Sequence, residues 1–126
     1  MAKLVLGSAP KTFKSKITFE LLDGGKADIE MIYKYKTRNE YAKLIDSTVD
    51  EQEATGKKEQ DLKSSEIYKM VDEKVCEFIL EIAEGWDLTD EFNAESVAKL
   101  VNQFPMASGP IIEKYRSAIL DGRTKN

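Results

Sequence analysis

Histidine is absent from this chain of 126 residues, and cysteine occurs once, at Cys76. The first absence removes the side chain most often used for general acid-base work near neutral pH. The second leaves no internal disulfide and no thiolate pair for a metal. Long apolar runs are also missing. Leu4-Val5-Leu6 stops at Gly7, well short of the roughly 7 to 15 residues of a signal-peptide core, and nothing approaches the roughly 18 consecutive apolar residues of a membrane helix. A cytoplasmic protein with no membrane partner is therefore expected. Positive charge is in deficit, with 19 basic against 23 acidic residues and a net charge of -4. That average field repels phosphates, and the one basic cluster, Lys34 to Arg38, is a poor footing for nucleic acid.

What is present suffices for a core. Hydrophobic residues make up 41% and charged residues 33% of the chain, the balance of a globular protein rather than of a disordered acidic tail. A chain of this length buries roughly 65 to 70% of its unfolded surface, so residues 1–126 are expected to form a single domain.

Residues 15–22 alternate, with Ile17, Phe19 and Leu21 opposed by Thr18 and Glu20, and Asp23-Gly24-Gly25 supplies a turn. A second alternation through Ala27, Ile29, Met31, Tyr33 and Tyr35 completes a β-hairpin. Thr37 and Glu40 have capping-box spacing, and Tyr41, Leu44, Ile45 and Thr48 follow at helical intervals, predicting a helix over about 38–49. Residues 50–65 are almost wholly polar and read as a mobile connection. Beyond it, with Ser65 as cap, Ile67, Met70, Val71, Val75, Phe78, Ile79 and Ile82 mark the longest helix. Val97, Leu100, Val101 and Phe104 mark a short third helix, and Ile111, Ile112, Tyr115, Ala118 and Ile119 a fourth ending at Asp121-Gly122. The expected fold class is α+β: a hairpin plus helix over 15–49, a connection over 50–65, and a three-helix part over 66–122.

Reactive constellations are sparse, and neither catalytic residues nor a cofactor site is expected. Asp87 and Asp90 read as helix-dipole complements rather than an acid-base pair; they lack the alternating oxygen ligands and glycine of a calcium loop, so no metal is expected. Glu77, Glu81 and Glu84 read as a solvated face. Asp46-Ser47-Thr48 has the outline of the tripeptide that bears phosphopantetheine in acyl carriers, which makes a prosthetic-group carrier acting through Ser47 one alternative function. Against it, Ser47 falls near the end of a predicted helix rather than at its start. The helix pair flanking Pro105 to Pro110 offers a second alternative, a small DNA-binding regulator presenting Glu113, Lys114, Arg116 and Ser117, but its electrostatic footprint is thin.

The most informative stretch runs from Gly85 to Tyr115, GWDLTDEFNAESVAKLVNQFPMASGPIIEKY. Gly85 is placed to end one helix, Asn93 to cap the next, and Phe104-Pro105 to stop it. Trp86, Phe92 and Phe104 admit two readings, core side chains or part of a groove for a partner helix. The first is preferred for Trp86 and Phe104. Met106, Pro110 and Ile111 are expected to be partly exposed and, with Phe92, to form the contact surface.

Through Trp86, Asp87, Leu88, Phe92, Phe104, Pro105 and Tyr115, this segment resembles the C-terminal region of the tail assembly chaperones of long-tailed, siphovirus-type bacteriophages. The resemblance implies a non-catalytic protein, absent from the finished virion, that keeps the largely helical tape measure protein soluble in the infected host's cytoplasm while tail tube subunits polymerise around it. It further implies the tail tube protein and a longer product of a programmed frameshift as possible partners, this chain being the shorter form because it stops just after Gly122-Arg123. Homo-oligomers are expected, because one small subunit covers little of a long client. Partner contact is assigned to Phe92, Met106, Pro110, Ile111 and Tyr115, and Trp86, Asp87, Leu88, Phe104 and Pro105 are taken as the motif's structural residues.

Overall fold

The two alternating runs pair as antiparallel strands β1 (Thr12–Glu20) and β2 (Lys26–Lys34), with Ile17 opposite Ile29 and Phe19 opposite Ala27. The computed structural model describes residues 6–7, 10–56 and 63–122. Strand β1 starts earlier than its alternation announces, because Ser15 occupies an inward, buried position and interrupts the apolar pattern. Its hydroxyl has no hydrogen-bond partner among the described residues. The turn is closed by Gly24 N–H donating to the Leu21 carbonyl (3.0 Å) and by Leu21 N–H donating to that of Gly25 (2.7 Å). Gly24 takes φ +88° there, a conformation that side-chain-bearing residues resist.

Helix α1 spans Arg38–Gly56 and opens on the expected capping box. The Thr37 hydroxyl accepts from Glu40 N–H (3.2 Å), and the Glu40 carboxylate accepts from Thr37 N–H (2.9 Å). It outruns the expected end near 49 because Asp50–Gly56 has no apolar residue larger than Ala54 to carry a period, yet Glu, Gln and Ala are good helix formers. Of the expected connection over 50–65, residues 50–56 thus belong to α1, 57–62 lie outside the described residues, and Ser64 and Ser65 belong to α2. Helix α2 (Ser64–Ile82) is as long as α1, and Lys63, not Ser65, stands at its N-cap.

An element the sequence did not announce follows directly. The chain passes from α2 into strand β3 (Ala83–Trp86), which pairs antiparallel with the other side of β2 and gives the sheet order β1-β2-β3. Met31 faces Trp86 and Tyr33 faces Ala83, with an irregularity between Ile32 and Tyr33 that lets both Ala83 and Trp86 point inward. Gly85 therefore does not end a helix. It lies opposite Ile32, where an added Cβ would stand 3.1 Å from Ile32 Cδ1.

Helix α3 (Ala94–Gln103) is capped by Asn93, whose side chain accepts from Ser96 N–H (2.9 Å). Helix α4 spans Pro105–Asp121. It begins at Pro105 and runs through Pro110, so no loop separates those prolines; Pro105 fits because a first-turn N–H needs no intrahelical partner. Gly122 ends α4 in the left-handed conformation, φ +73°. One face of the sheet is covered, by α4 over β1 and by α2 over β2 and β3, with α3 packed against α2 and α4. Met31, Tyr33, Ile79, Ile82, Val97, Ile111 and Tyr115 are fully buried between these layers. The opposite face carries Lys14, Lys16, Thr18, Glu20, Asp28 and Glu30 and is exposed. The fold is α+β.

Candidate functional site

The W-D-L segment is built from the sheet outward. Trp86 is buried, its ring meets Phe92 edge-on at 5.0 Å, and its indole N–H donates to the Asp90 carbonyl (2.7 Å). Asp87 exchanges two hydrogen bonds with the β2 backbone: its carboxylate accepts from Glu30 N–H (2.9 Å), and its own N–H donates to the Glu30 carbonyl (3.1 Å). The carboxylate thus extends the β2–β3 ladder by side chain. It is not a helix-dipole complement, as its spacing to Asp90 suggests. Leu88 packs partly buried against the core.

The F-P break turns the chain in a single residue. Phe104 N–H donates to the Leu100 carbonyl (2.8 Å), closing α3, while the Phe104 carbonyl accepts from Ala107 N–H (2.9 Å), opening α4. Its side chain is 40% exposed, which corrects the expectation that it belongs to the core beside Val97, Leu100 and Val101. Met106 and Phe92 are partly buried at the margin of the core, and Pro110 is half-exposed.

Ile111 and Tyr115 lie on the other side of α4 and are fully buried, so neither presents a contact surface in this structure. Ala107, Ile111, Tyr115, Ala118 and Ile119 form the helical stripe that faces the sheet. Tyr115 stacks on Phe13 (6.0 Å) and lies at 5.1 Å from Tyr33 and 5.9 Å from Tyr41. Its hydroxyl donates to the Lys34 carbonyl (2.9 Å), and that of Tyr33 donates to Ile111 (2.6 Å). These bonds tie α4 to β2 across the core.

Burial pushes the Tyr33 and Tyr115 phenols well above their usual range, and each ring raises or is raised by a neighbouring tyrosine. A phenol that ionises later in the folded state than in the unfolded one stabilises the fold fully below its unfolded pKa of about 10 and loses that contribution as pH rises further. The melting temperature is therefore expected to fall above about pH 10, less steeply in Tyr33→Phe; calorimetry across pH 8 to 11 checks this.

Other candidates fall into place as structure. Cys76 is buried in α2 with its thiol pKa raised by burial, the state of an inert thiol. Ser47 sits inside α1, its hydroxyl bonded to the Leu44 carbonyl (2.8 Å). Lys36 pairs with Glu81 (3.6 Å) and Arg116 with Glu113 (3.2 Å), which draws down the basic character of both stretches considered for nucleic acid. Among the described residues, no group of three or more Cys, Asp or Glu is placed to hold a metal ion, and no helix is long and apolar enough to cross a membrane.

Residues that the sequence pattern hid are Tyr68 and Val71, 70% and 49% exposed on α2. Val71 fell within the apolar stripe, but the stripe is broader than the face that α3 and the sheet cover.

Neither a curated protein nor a solved structure matches the chain. A family model described as phage tail assembly chaperone does, over residues 1–126. Because that match spans the whole chain, and with it the W-D-L and F-P segments whose geometry is given above, the chain belongs to the phage tail assembly chaperone family.

Proposed function

We propose that this chain, without catalysing a reaction, binds the tape measure protein in the cytoplasm of the infected host, keeps it soluble and promotes assembly of the tail tube around it. Family membership supports the assembly role. The observation that carries the contact surface is Phe104, a large aromatic residue held 40% exposed at the α3–α4 junction. Phe92, Met106 and Pro110 complete the proposed surface, and Ile111 and Tyr115 support it from beneath. A long helical client exposes apolar stripes that aggregate unless covered. Shallow apolar contacts cover them, while the charged outer face of the sheet stays in water.

Because each subunit covers a short length of client, we further propose reversible self-association that raises the local density of contacts. The tail tube protein and a longer frameshift product are additional proposed partners. Co-expression with the tape measure protein tests the reading: the client is expected in the soluble fraction only when this chain is present. Phe104→Ser is expected to weaken the complex about tenfold or more while the melting temperature moves little, since an exposed aromatic anchor contributes more to binding than to folding. A client equally soluble without this chain overturns the proposal.

A further inference from the structure

Among the described residues, the outer edge of β1 is unpaired. Tyr35 N–H donates to the Lys11 carbonyl and Leu21 N–H to that of Gly25, and the register between β1 and β2 is unbroken from Thr12 to Glu20. Antiparallel pairing alternates, so the odd-numbered residues of β1 bond to β2. Thr12, Lys14, Lys16, Thr18 and Glu20 turn their N–H and C=O groups outward, where no described strand pairs with them. Neither a proline nor a bulge interrupts β1, and its guard against unselected strands is the charge of Lys14 and Lys16. A shallow groove runs along this edge, lined by Lys16, Ile17, Thr18 and Asp28 of the sheet and by Pro110 and Lys114 of α4. Residues of β1 and of α4 line it together, which places the groove beside this edge.

We propose that this edge binds an extended acidic segment of another protein as an added β-strand, an inference independent of which tail protein is the client. Charge selects the ligand. Between Thr12 and Thr18 the edge strand carries Lys14 and Lys16 and no acid, with Lys114 beside it on α4; Glu20 stands at the far end of β1, and Asp28 and Glu30 lie one strand further in, Asp28 being engaged by Lys16 (3.3 Å) and by the Thr18 hydroxyl (2.8 Å). Residues of the added strand opposite Lys14 and Lys16 share their outer face and accept carboxylates. The alternate residues point towards Ile17 and Pro110 and accept small apolar side chains. A second copy of this chain is a worse occupant. An antiparallel pair of β1 strands centred on Ser15 would set Lys14 and Lys16 of the two copies side by side on one face, a like-charge arrangement that opposes pairing.

The test uses the full chain and a fluorescent peptide, Gly-Glu-Val-Glu-Val-Glu-Gly, with capped ends. Fluorescence anisotropy is expected to show saturable binding that weakens with salt. The added strand runs antiparallel to β1, so the N–H groups of the glutamates opposite Lys14 and Lys16 face β1 and those of the valines face away. N-methylation of the glutamates is therefore expected to lower affinity tenfold or more, and N-methylation of the valines to leave it nearly unchanged. On the protein side, Lys14→Pro removes one outward N–H without touching the β1–β2 ladder, a substitution edge strands tolerate, and is expected to lower affinity to a similar extent at unchanged circular dichroism. Absence of binding, or equal loss from both methylation patterns, overturns the proposal. So does concentration-dependent self-association that Lys14→Pro abolishes, because a second copy then occupies the edge.

Discussion

Tyr115→Ala is expected to destabilise the protein by about 3–5 kcal/mol, the range for emptying a large buried aromatic site. The ring is fully buried among Phe13, Tyr33 and Tyr41, so truncation opens a cavity walled by aromatic rings. The Lys34 carbonyl also loses its donor. Tyr115→Phe keeps the ring and forfeits only that bond, at about 1–2 kcal/mol. Since whole domains are stable by about 5–15 kcal/mol, the alanine variant should approach the limit of folding, and urea denaturation separates the two. A phenylalanine variant as damaged as the alanine one would mean that the hydroxyl, not the ring, holds α4 against the sheet.

The second large effect is expected at Trp86. Truncation to alanine removes the edge-on contact with Phe92, the cover over Met31 and the donor to Asp90, again about 3–5 kcal/mol. Trp86→Phe should retain much of the packing and lose the indole bond, about 1–2 kcal/mol. Asp87→Ala offers a comparison on the same strand end. It deletes one of the two bonds to Glu30 and is expected to loosen the β2–β3 pairing, seen as faster amide exchange at Glu30, without a cavity. Circular dichroism during denaturation serves for all three, since Trp86 is the sole tryptophan and its loss removes the fluorescence signal.

The hairpin and the helix stripes were legible because alternation and helical periodicity are local consequences of burying one face. Ile17, Phe19, Ile29 and Met31 declare their side of the sheet, and Asn93 and Thr37 declare helix starts through side chains that bond within a turn. Strand β3 was not legible. Its four residues, AEGW, hold too few alternations to register a period, the bulge spoils even those, and α2 runs into it without turn residues. The role of Asp87 depends on that strand, since its partner Glu30 lies 57 residues away in sequence. The buried side of α4 was misjudged for a related reason. Pro110 looks like the end of a loop, which put Ile111 at an exposed entrance, whereas the helix starts at Pro105 and carries Ile111 under the sheet.

The direct passage from α2 into β3 makes those two elements one mechanical part. With no intervening loop to absorb rotation, the first turns of α2, where Tyr68 and Val71 are exposed, form the outer end of a lever whose other end is paired with β2 through Trp86 and Gly85. A load placed on that outer end reaches the centre of the sheet, and through Tyr33 it reaches α4. In hydrogen exchange, the last turn of α2, β3 and β2 should open together with one free energy, while the start of α2 opens far more readily.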